Sequence, residues 1–382
     1  MESTVYFTDA RSRRREESMV RKIAKLFEKS GLSSRIPNGG NVLIKVHWGS
    51  PGCTRYLRPI YVAKIVEKVK ECGGVPCVCE TVGAGPPHSP RSSSGYLLTA
   101  YKHGYTPEVL GCPIILADGF VGESVKIVEV PEGQELKRAY VAKAIAEADF
   151  LIVLSHFKGH GSSGFGGAIK NLGIGCVNKT GKNLAHNLSK PKVDPNMCDG
   201  CGECLEVCDV AAISMVSGKA VIDEEKCWFC RACIEMCRKH FNDPKKSAII
   251  VEWVQDSPTF QRRLVDQAAG VMKLLRGRIY FFNFIMDVTP LCDCAPFSDV
   301  PIVPDIGVAA SEDPVAIDQA SLDLVNQAPG IPGSAAEEVG ALAPGTDKFG
   351  LIHPHTKGGL PQLEAAEKLG LGVRKYRLVR ID

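Results

Sequence analysis

The chain has 382 residues, 45% of them hydrophobic and 23% charged, and a formal net charge of only +3. That is enough apolar material for a large α/β core and a small second module, with no charge bias of the kind that marks general nucleic-acid binding. No apolar run approaches membrane-span length, and charges occupy the N-terminal stretch where an export signal needs apolar residues, so a cytoplasmic location away from membranes is expected. Sixteen cysteines in such a compartment point to metal and thiol chemistry rather than disulfides.

In chain order, "STVYFTD" reads as a strand and "EESMVRKIAKLFEKSG" as an amphipathic helix that stops at Gly31. "NVLIKVHWG" is a buried strand, "PIYVAKIVEKVKECGG" a helix closed by glycines, and "VPCVCETVG" the next strand. "GAGPPHSPRSSSG" is a loop. "VAKAIAEA" then leads into the strand "DFLIVLS". Beyond the middle of the chain, "RRLVDQAAGVMKLLRG" is a helix and "RIYFFNFIMDV" a strand. "VPIVPD" reads as strand-like, "DPVAIDQASLDLVNQ" and "PQLEAAEKLG" as helices, and "VRKYRLVRI" as a closing strand. This alternation predicts an α/β fold, a mostly parallel sheet with helices on both faces. It is discontinuous: residues 1–192 and 254–382 form its two parts, and residues 193–253 form an insert.

The insert carries "CDGCGECLEVC" and "CWFCRACIEMC". Each places four cysteines at C-x2-C-x2-C-x3-C spacing, the bacterial pattern for [4Fe-4S] clusters, in which the fourth cysteine of one run ligates the other cluster. The expected ligand sets are Cys198, Cys201, Cys204 and Cys237 for one cluster, and Cys227, Cys230, Cys233 and Cys208 for the second. Zinc is the rival, but it needs only two close pairs separated by a longer loop. The proline that usually follows the fourth cysteine is replaced by Asp209 and Arg238. "AISMVSGKAVID" reads as a hairpin turning at Ser217-Gly218, and "KSAIIVEW" as a returning strand. The insert resembles the two-cluster bacterial ferredoxins.

In open α/β sheets ligands sit beyond the C-terminal strand ends. The residues just past those ends are Lys45 and His47, then Glu80 and the loop with Arg91, then "HFKGHGSSGFGGAIKN", then "DVTPLCDC". The glycine-rich run contains His156, His160, Gly164, Gly166, Gly167 and Lys170, with a helix expected to start near Gly166-Gly167 and to offer its amides to an anion. Lys45, His47, His156, His160 and Lys170 are the catalytic candidates. Arg91, Gly164, Gly166, Gly167 and Asp305 are the substrate-binding candidates. Cationic residues would bind a small anionic substrate and a histidine would move protons. Cys176 is expected to approach Cys292 and Cys294 and to form a further metal or Fe–S site, with buried free thiols as the competing reading. Cys72, Cys77, Cys79 and Cys112 read as core. Asp313 is an N-cap candidate. Lys182, Lys190 and Lys192 read as solvated, and the roles of Cys53 and His186 stay open.

Taken together, "NVLIKVHWG", "SHFKGHGSSGFGGAIKNLGIGC", "DVTPLCDC" and "PDIGVAASEDPVAIDQASLDLVN" resemble the uncharacterised iron–sulfur-centre proteins of domain-of-unknown-function family 362 that carry an inserted ferredoxin. The resemblance spans nearly the whole chain and implies the cofactors but no particular reaction. "GFGGAIKNLG" is also similar to the glycine loop of lactate-racemase-like proteins, a likeness of one loop that does not imply nickel chemistry. The leading expectation is an oxidoreductase relaying electrons between an external low-potential partner and an anionic substrate. The alternatives are an electron-carrier or cluster-delivery protein, and an isomerase or lyase with a structural ferredoxin. The oligomeric state stays open.

Overall fold

Runs of three to seven residues, several of them apolar and buried on both faces, build one eight-stranded sheet in a computed structural model. The structure describes residues 2–83, 93–186, 191–208, 210–224, 226–227, 232–243, 245–251 and 256–381. The sheet strands are β1 (Ser3–Asp9), β2 (Asn41–Lys45), β3 (Val75–Glu80), β4 (Ile114–Leu116), β5 (Phe150–His156), β6 (Ile279–Ile285), β7 (Gly307–Ser311) and β8 (Tyr376–Arg380). Their order is β8-β1-β7-β6-β5-β2-β3-β4, and only β7 runs against its neighbours. The expected α/β class, mostly parallel with helices on both faces, is the fold observed.

Helices α1 (Met19–Lys29), α2 (Pro59–Glu71) and α3 (Ser93–Lys102) cover one face. Ile23, Leu26 and Phe27 form the buried stripe of α1, which packs in the same core as Ile44 and Ile152. Helices α4 (Ser257–Leu274), α5 (Pro314–Gln327) and α6 (Leu360–Lys368) cover the other face, over Leu43, Leu151, Val153 and Phe281. Adjacent strand residues thus serve opposite cores, each fully buried branched side chain contributing about 1.5–3 kcal/mol relative to exposure. Asp313 caps α5, accepting from the Val315 and Ala316 N–H groups.

One expectation is corrected. "VPIVPD" is not a strand: Pro301 and Pro304 lack ladder donors, and the strand begins after them at Gly307. A hairpin of Val125–Glu129 and Arg138–Ala142 precedes β5, and within "VAKAIAEA" a single helical turn runs over Lys143–Ala146.

The cysteine-rich insert has its own small core around Cys204, Ile213, Cys233 and Ile249. Lys192–Val193 pairs with Ile249–Ile250 at its base. The predicted hairpin joins Ile213–Val216 to Lys219–Ile222, with Ser217 and Gly218 both at positive φ as a two-residue turn requires. Among the described residues, no helix is long and apolar enough to cross a membrane.

Candidate functional site

Chain order steps from β2 through β3 to β4 on one side of the sheet and from β5 to β6 on the other, so the strand order reverses between β2 and β5. At that switch point, beyond the C-terminal strand ends, lies a cavity of about 540 Å³. Its wall takes Lys45 and His47 after β2, Glu80 and Thr81 after β3, and Ser155 to Gly167 after β5 in part. Lys170, Asn171, Lys182 and His186 come next in the chain, and Cys292 and Cys294 come from the turn after β6.

Glu80 organises the β2–β3 side. Its buried carboxylate lies 2.6 Å from Lys45 Nζ and 2.7 Å from His47 Nδ1 and accepts the Thr81 N–H at 2.9 Å. Burial works to raise its pKa, but the Lys45 charge and the His47 bond outweigh burial and hold the carboxyl at about 2. Lys45 is fully buried and also donates to Asn171 Oδ1 at 3.0 Å and the Val46 carbonyl at 2.7 Å, so all three of its N–H groups are engaged. His47 differs. Glu80 fixes its Nδ1 while its buried Nε2 has no partner among the described residues, and neither has Ser50 Oγ, also on the cavity wall. Such orphaned polar atoms beside a cavity suit a bound ligand.

On the β5–β6 side, His156 Nδ1 lies 2.9 Å from Asp293 Oδ1 and Nε2 lies 2.8 Å from the Met286 carbonyl oxygen. Both nitrogens face acceptors, which fixes the ring between Asp293 and the Met286 carbonyl. Lys158 Nζ is 3.4 Å from the same carboxylate. Burial opposes ionisation of Asp293, but the His156 and Lys158 charges outweigh it and hold the carboxyl far below the usual range. Asp293 thereby anchors the turn that carries Cys292 and Cys294. Lys170 Nζ lies 3.7 Å from Cys292 Sγ.

The thiols of Cys292 and Cys294 and one ring nitrogen of His160 lie within 4.8 Å of one another, near enough to share an ion. A second such group in the insert joins Asp199, Cys201 and His240. His160 Nδ1 accepts the Ser162 and Ser163 N–H groups at 3.1 and 3.0 Å, which leaves the ring proton on Nε2. Burial, then the Lys170 charge, keeps that ring neutral.

Lys182, expected in solvent, is instead buried on the cavity wall. It donates to Thr81 Oγ1 at 2.6 Å and the Val177 carbonyl at 2.7 Å. Burial lowers its pKa to about 8 against the pull of Asp118, whose own carboxyl burial raises to about 6. No spacing or periodicity in "GKNLAHNLSKPK" signals this burial. The short helix Lys179–Ala185 is enclosed on nearly all sides, with Lys179, Lys182 and Asn183 each buried.

Several expected residues lie elsewhere. β5 and β6 are neighbours, yet Cys176 does not meet Cys292 and Cys294. The turns Ala168–Lys170 and Asn171–Gly175 carry it into the core, where burial raises its thiol to about 12. The amides at the start of that short helix are not open to an anion, because Asp318 accepts the Ala168 and Ile169 N–H groups at 2.7 and 2.9 Å. Gly167 admits Asp318, since a Cβ there would lie 2.2 Å from its Oδ1. Gly164, at φ +78°, packs against the Gly358–Gly359 backbone outside the cavity wall. Asp305 also lies outside it and accepts the Asp287 N–H. Arg91 falls outside the described residues. Gly166 lies on the wall beside Lys158 and Lys170.

In the insert, Cys198, Cys201, Cys204 and Cys237 line one small pocket with Met215, Phe241 and Ile249. Backbone N–H groups of Ala220 and Ala248 donate to Cys198 Sγ and Cys237 Sγ at 3.5 and 3.2 Å. Four sulfurs around an apolar-walled pocket with N–H groups aimed at them fit a soft metal or an iron–sulfur cluster. Of the second set, Cys208 Sγ accepts the Ala212 N–H at 3.2 Å, and Cys230 lies outside the described residues.

No curated protein matches the chain. Two solved structures are similar to parts of it: the lactate racemase apoprotein from Thermoanaerobacterium thermosaccharolyticum, at 14% identity and a TM-score of 0.37, and a structural-genomics target from Thermotoga maritima, at 13% and 0.36. The aligned regions cover 75% and 76% of this chain and 51% and 55% of those chains, so the chain spans about half the length of each. The model of the family described as "Domain of unknown function (DUF362)" matches residues 42–323, and the chain belongs to that family.

Proposed function

We propose that the protein is an iron–sulfur oxidoreductase acting on a small anionic substrate in the switch-point cavity. Cys198, Cys201, Cys204 and Cys237 would hold one [4Fe-4S] cluster of the insert, and Cys208, Cys227, Cys230 and Cys233 the other. When bound, such clusters supply or accept electrons one at a time. An external low-potential protein would exchange electrons with the insert, in the cytoplasm.

The observation that carries this reading is where the insert joins the α/β domain. The outgoing chain leaves from His186, which lines the cavity. The returning chain enters α4 at Ser257, whose hydroxyl donates at 2.6 Å to the carbonyl of Ser162, another cavity residue. Phe260 of α4 stacks on His186 at 4.5 Å and on His160 at 6.1 Å between ring centroids. On the α/β side of each connection, the described residues nearest the insert therefore border the cavity.

Within the cavity, Lys170 is the cation placed to meet an anionic group, and Ser50 Oγ adds a hydrogen bond. His47 moves the proton: Glu80 holds its Nδ1 and leaves Nε2 toward the reaction. Lys45, with every donor engaged, positions Glu80 and Asn171. The test is anaerobic. The protein is reduced with dithionite, and the loss of its reduced-cluster EPR signal is followed on adding small carboxylates and phosphate esters. One of them should reoxidise the wild type, and Lys170→Ala and His47→Ala should slow that step without changing reduction by dithionite. Variants that keep wild-type rates with every acceptor would indicate an electron carrier. Substrate turnover with no change in cluster oxidation state would indicate an isomerase or lyase.

A further inference from the structure

The turn after β6 holds a thiol pair that the proton and anion chemistry above does not use. Its hydrogen bond runs from the Ala295 N–H to the Cys292 carbonyl at 2.9 Å. Asp293 points inward onto His156 and Lys158, which fixes the turn from below. The thiols of Cys292 and Cys294 are left together on the cavity wall, Cys292 buried and Cys294 exposed. The Cys294 N–H donates to Cys292 Sγ at 3.3 Å, and Lys170 Nζ stands 3.7 Å from the same sulfur.

We propose that Cys292 and Cys294 are a redox-active dithiol–disulfide pair that exchanges with a small anionic disulfide in the cavity. This rests on reading the cavity as a redox site for anions. A hydrogen bond from the Cys294 side chain and, against burial, the charges of Lys170 and Lys158 hold the Cys292 thiol well below its ordinary range, and with the Cys294 N–H and Lys170 Nζ beside its sulfur it is the attacking thiolate. The Cys292 thiolate attacks one sulfur of the disulfide, whose S–S bond breaks and releases one thiolate. Cys294 gives its proton to a released thiolate and attacks Cys292 Sγ, expelling the second. The sum is one protein thiolate, one protein thiol and one small disulfide giving a Cys292–Cys294 disulfide, one small thiolate and one small thiol. Two electrons from a one-electron iron–sulfur donor, with one proton, restore the starting pair.

A cation is the competing occupant, and His160 argues against it. Its Nδ1 is taken by two backbone N–H groups, so its remaining nitrogen offers a proton rather than a lone pair. The Lys158 and Lys170 ammonium groups beside one thiolate and one thiol add repulsion for a cation.

The probe is 5,5′-dithiobis(2-nitrobenzoate), an anionic disulfide, applied to the anaerobic full-length protein and read by peptide mass spectrometry. In wild type, the peptide holding both cysteines should lose about 2 Da and carry no adduct, the mark of an internal disulfide. Cys294→Ser should retain a stable aryl adduct on Cys292, and Lys170→Ala should form the disulfide about tenfold more slowly. A persistent adduct on the wild-type peptide overturns the proposal, as does release of one metal ion per chain that Cys292→Ser/Cys294→Ser no longer binds. Dithiothreitol should reduce the disulfide whether or not the insert holds clusters. Dithionite-reduced insert should do so only with clusters in place, and failure of that arm alone would remove the relay while leaving the dithiol.

Discussion

Glu80→Gln should cost the α/β domain about 3 kcal/mol. A buried carboxyl held at a pKa of about 2, against 4.5 when unfolded, stabilises the native state by about that much at neutral pH. Breaking a buried pair by removing one partner leaves the other charge uncompensated, a loss of about 3–5 kcal/mol, and here that charge is the fully buried Lys45. Lys45→Met alone should cost a similar amount, because Glu80 is then stranded. The double substitution should recover a large part of the loss, since replacing both members of a buried pair by uncharged groups is often nearly neutral. The readout is native-state hydrogen exchange of β2 at increasing urea, which tracks the sheet independently of the insert. The pH dependence has a fixed sign. The folded pKa is depressed, so the contribution is complete above about pH 4.5 and is lost as pH falls toward about 2. The gap between wild type and Glu80→Gln should close over that window. Additive losses in the double mutant, or a gap that stays constant to pH 2, would refute the buried-pair argument.

Gly173→Ala should destabilise by about 3 kcal/mol, because the added Cβ would sit 1.9 Å from the Leu264 carbonyl oxygen of α4, where only backbone can give way. Urea unfolding at constant slope checks it, and an unchanged midpoint would mean that the close approach is absent. Lys182 should acylate with an inflection near pH 8, where its burial-lowered pKa lies, rather than near pH 10 as an exposed lysine does. Competitive labelling with acetic anhydride and peptide mass spectrometry measure this, and an ordinary inflection would place the amine in water. Gly167→Ala should disrupt the wall at Lys170 by displacing Asp318, giving faster hydrogen exchange at Ala168 and Ile169.

The sheet is legible in the sequence where burial leaves a periodic trace. β2, β5 and β6 are apolar runs, and α1 and α4 carry helical stripes. β7 leaves no such trace: "GVAAS" is small and unpatterned, and its place is set by the strands on either side of it. The cavity is legible through position, because polar residues just past parallel strands converge at the switch point. Their partners are not. Glu80 and Asp293 read as polar residues near the site, but not as the partners of Lys45 and His156, since those pairs are separated by 35 and 137 positions in the chain. Lys158 sits inside the glycine-rich run without any spacing to distinguish it. Cys176 misleads for the same reason in reverse: neighbouring parent strands do not fix where a residue lands after two further helical turns.

The claim that matters most is that the insert holds two [4Fe-4S] clusters, and iron and sulfide analysis with EPR on anaerobically purified protein tests it directly. Wild type should contain about eight iron and eight acid-labile sulfide per chain and show a fast-relaxing signal on dithionite reduction. Cys198→Ser/Cys204→Ser should retain about four of each, because only the pocket they line is disabled. Zinc in the insert, with no iron after anaerobic reconstitution, would contradict the account.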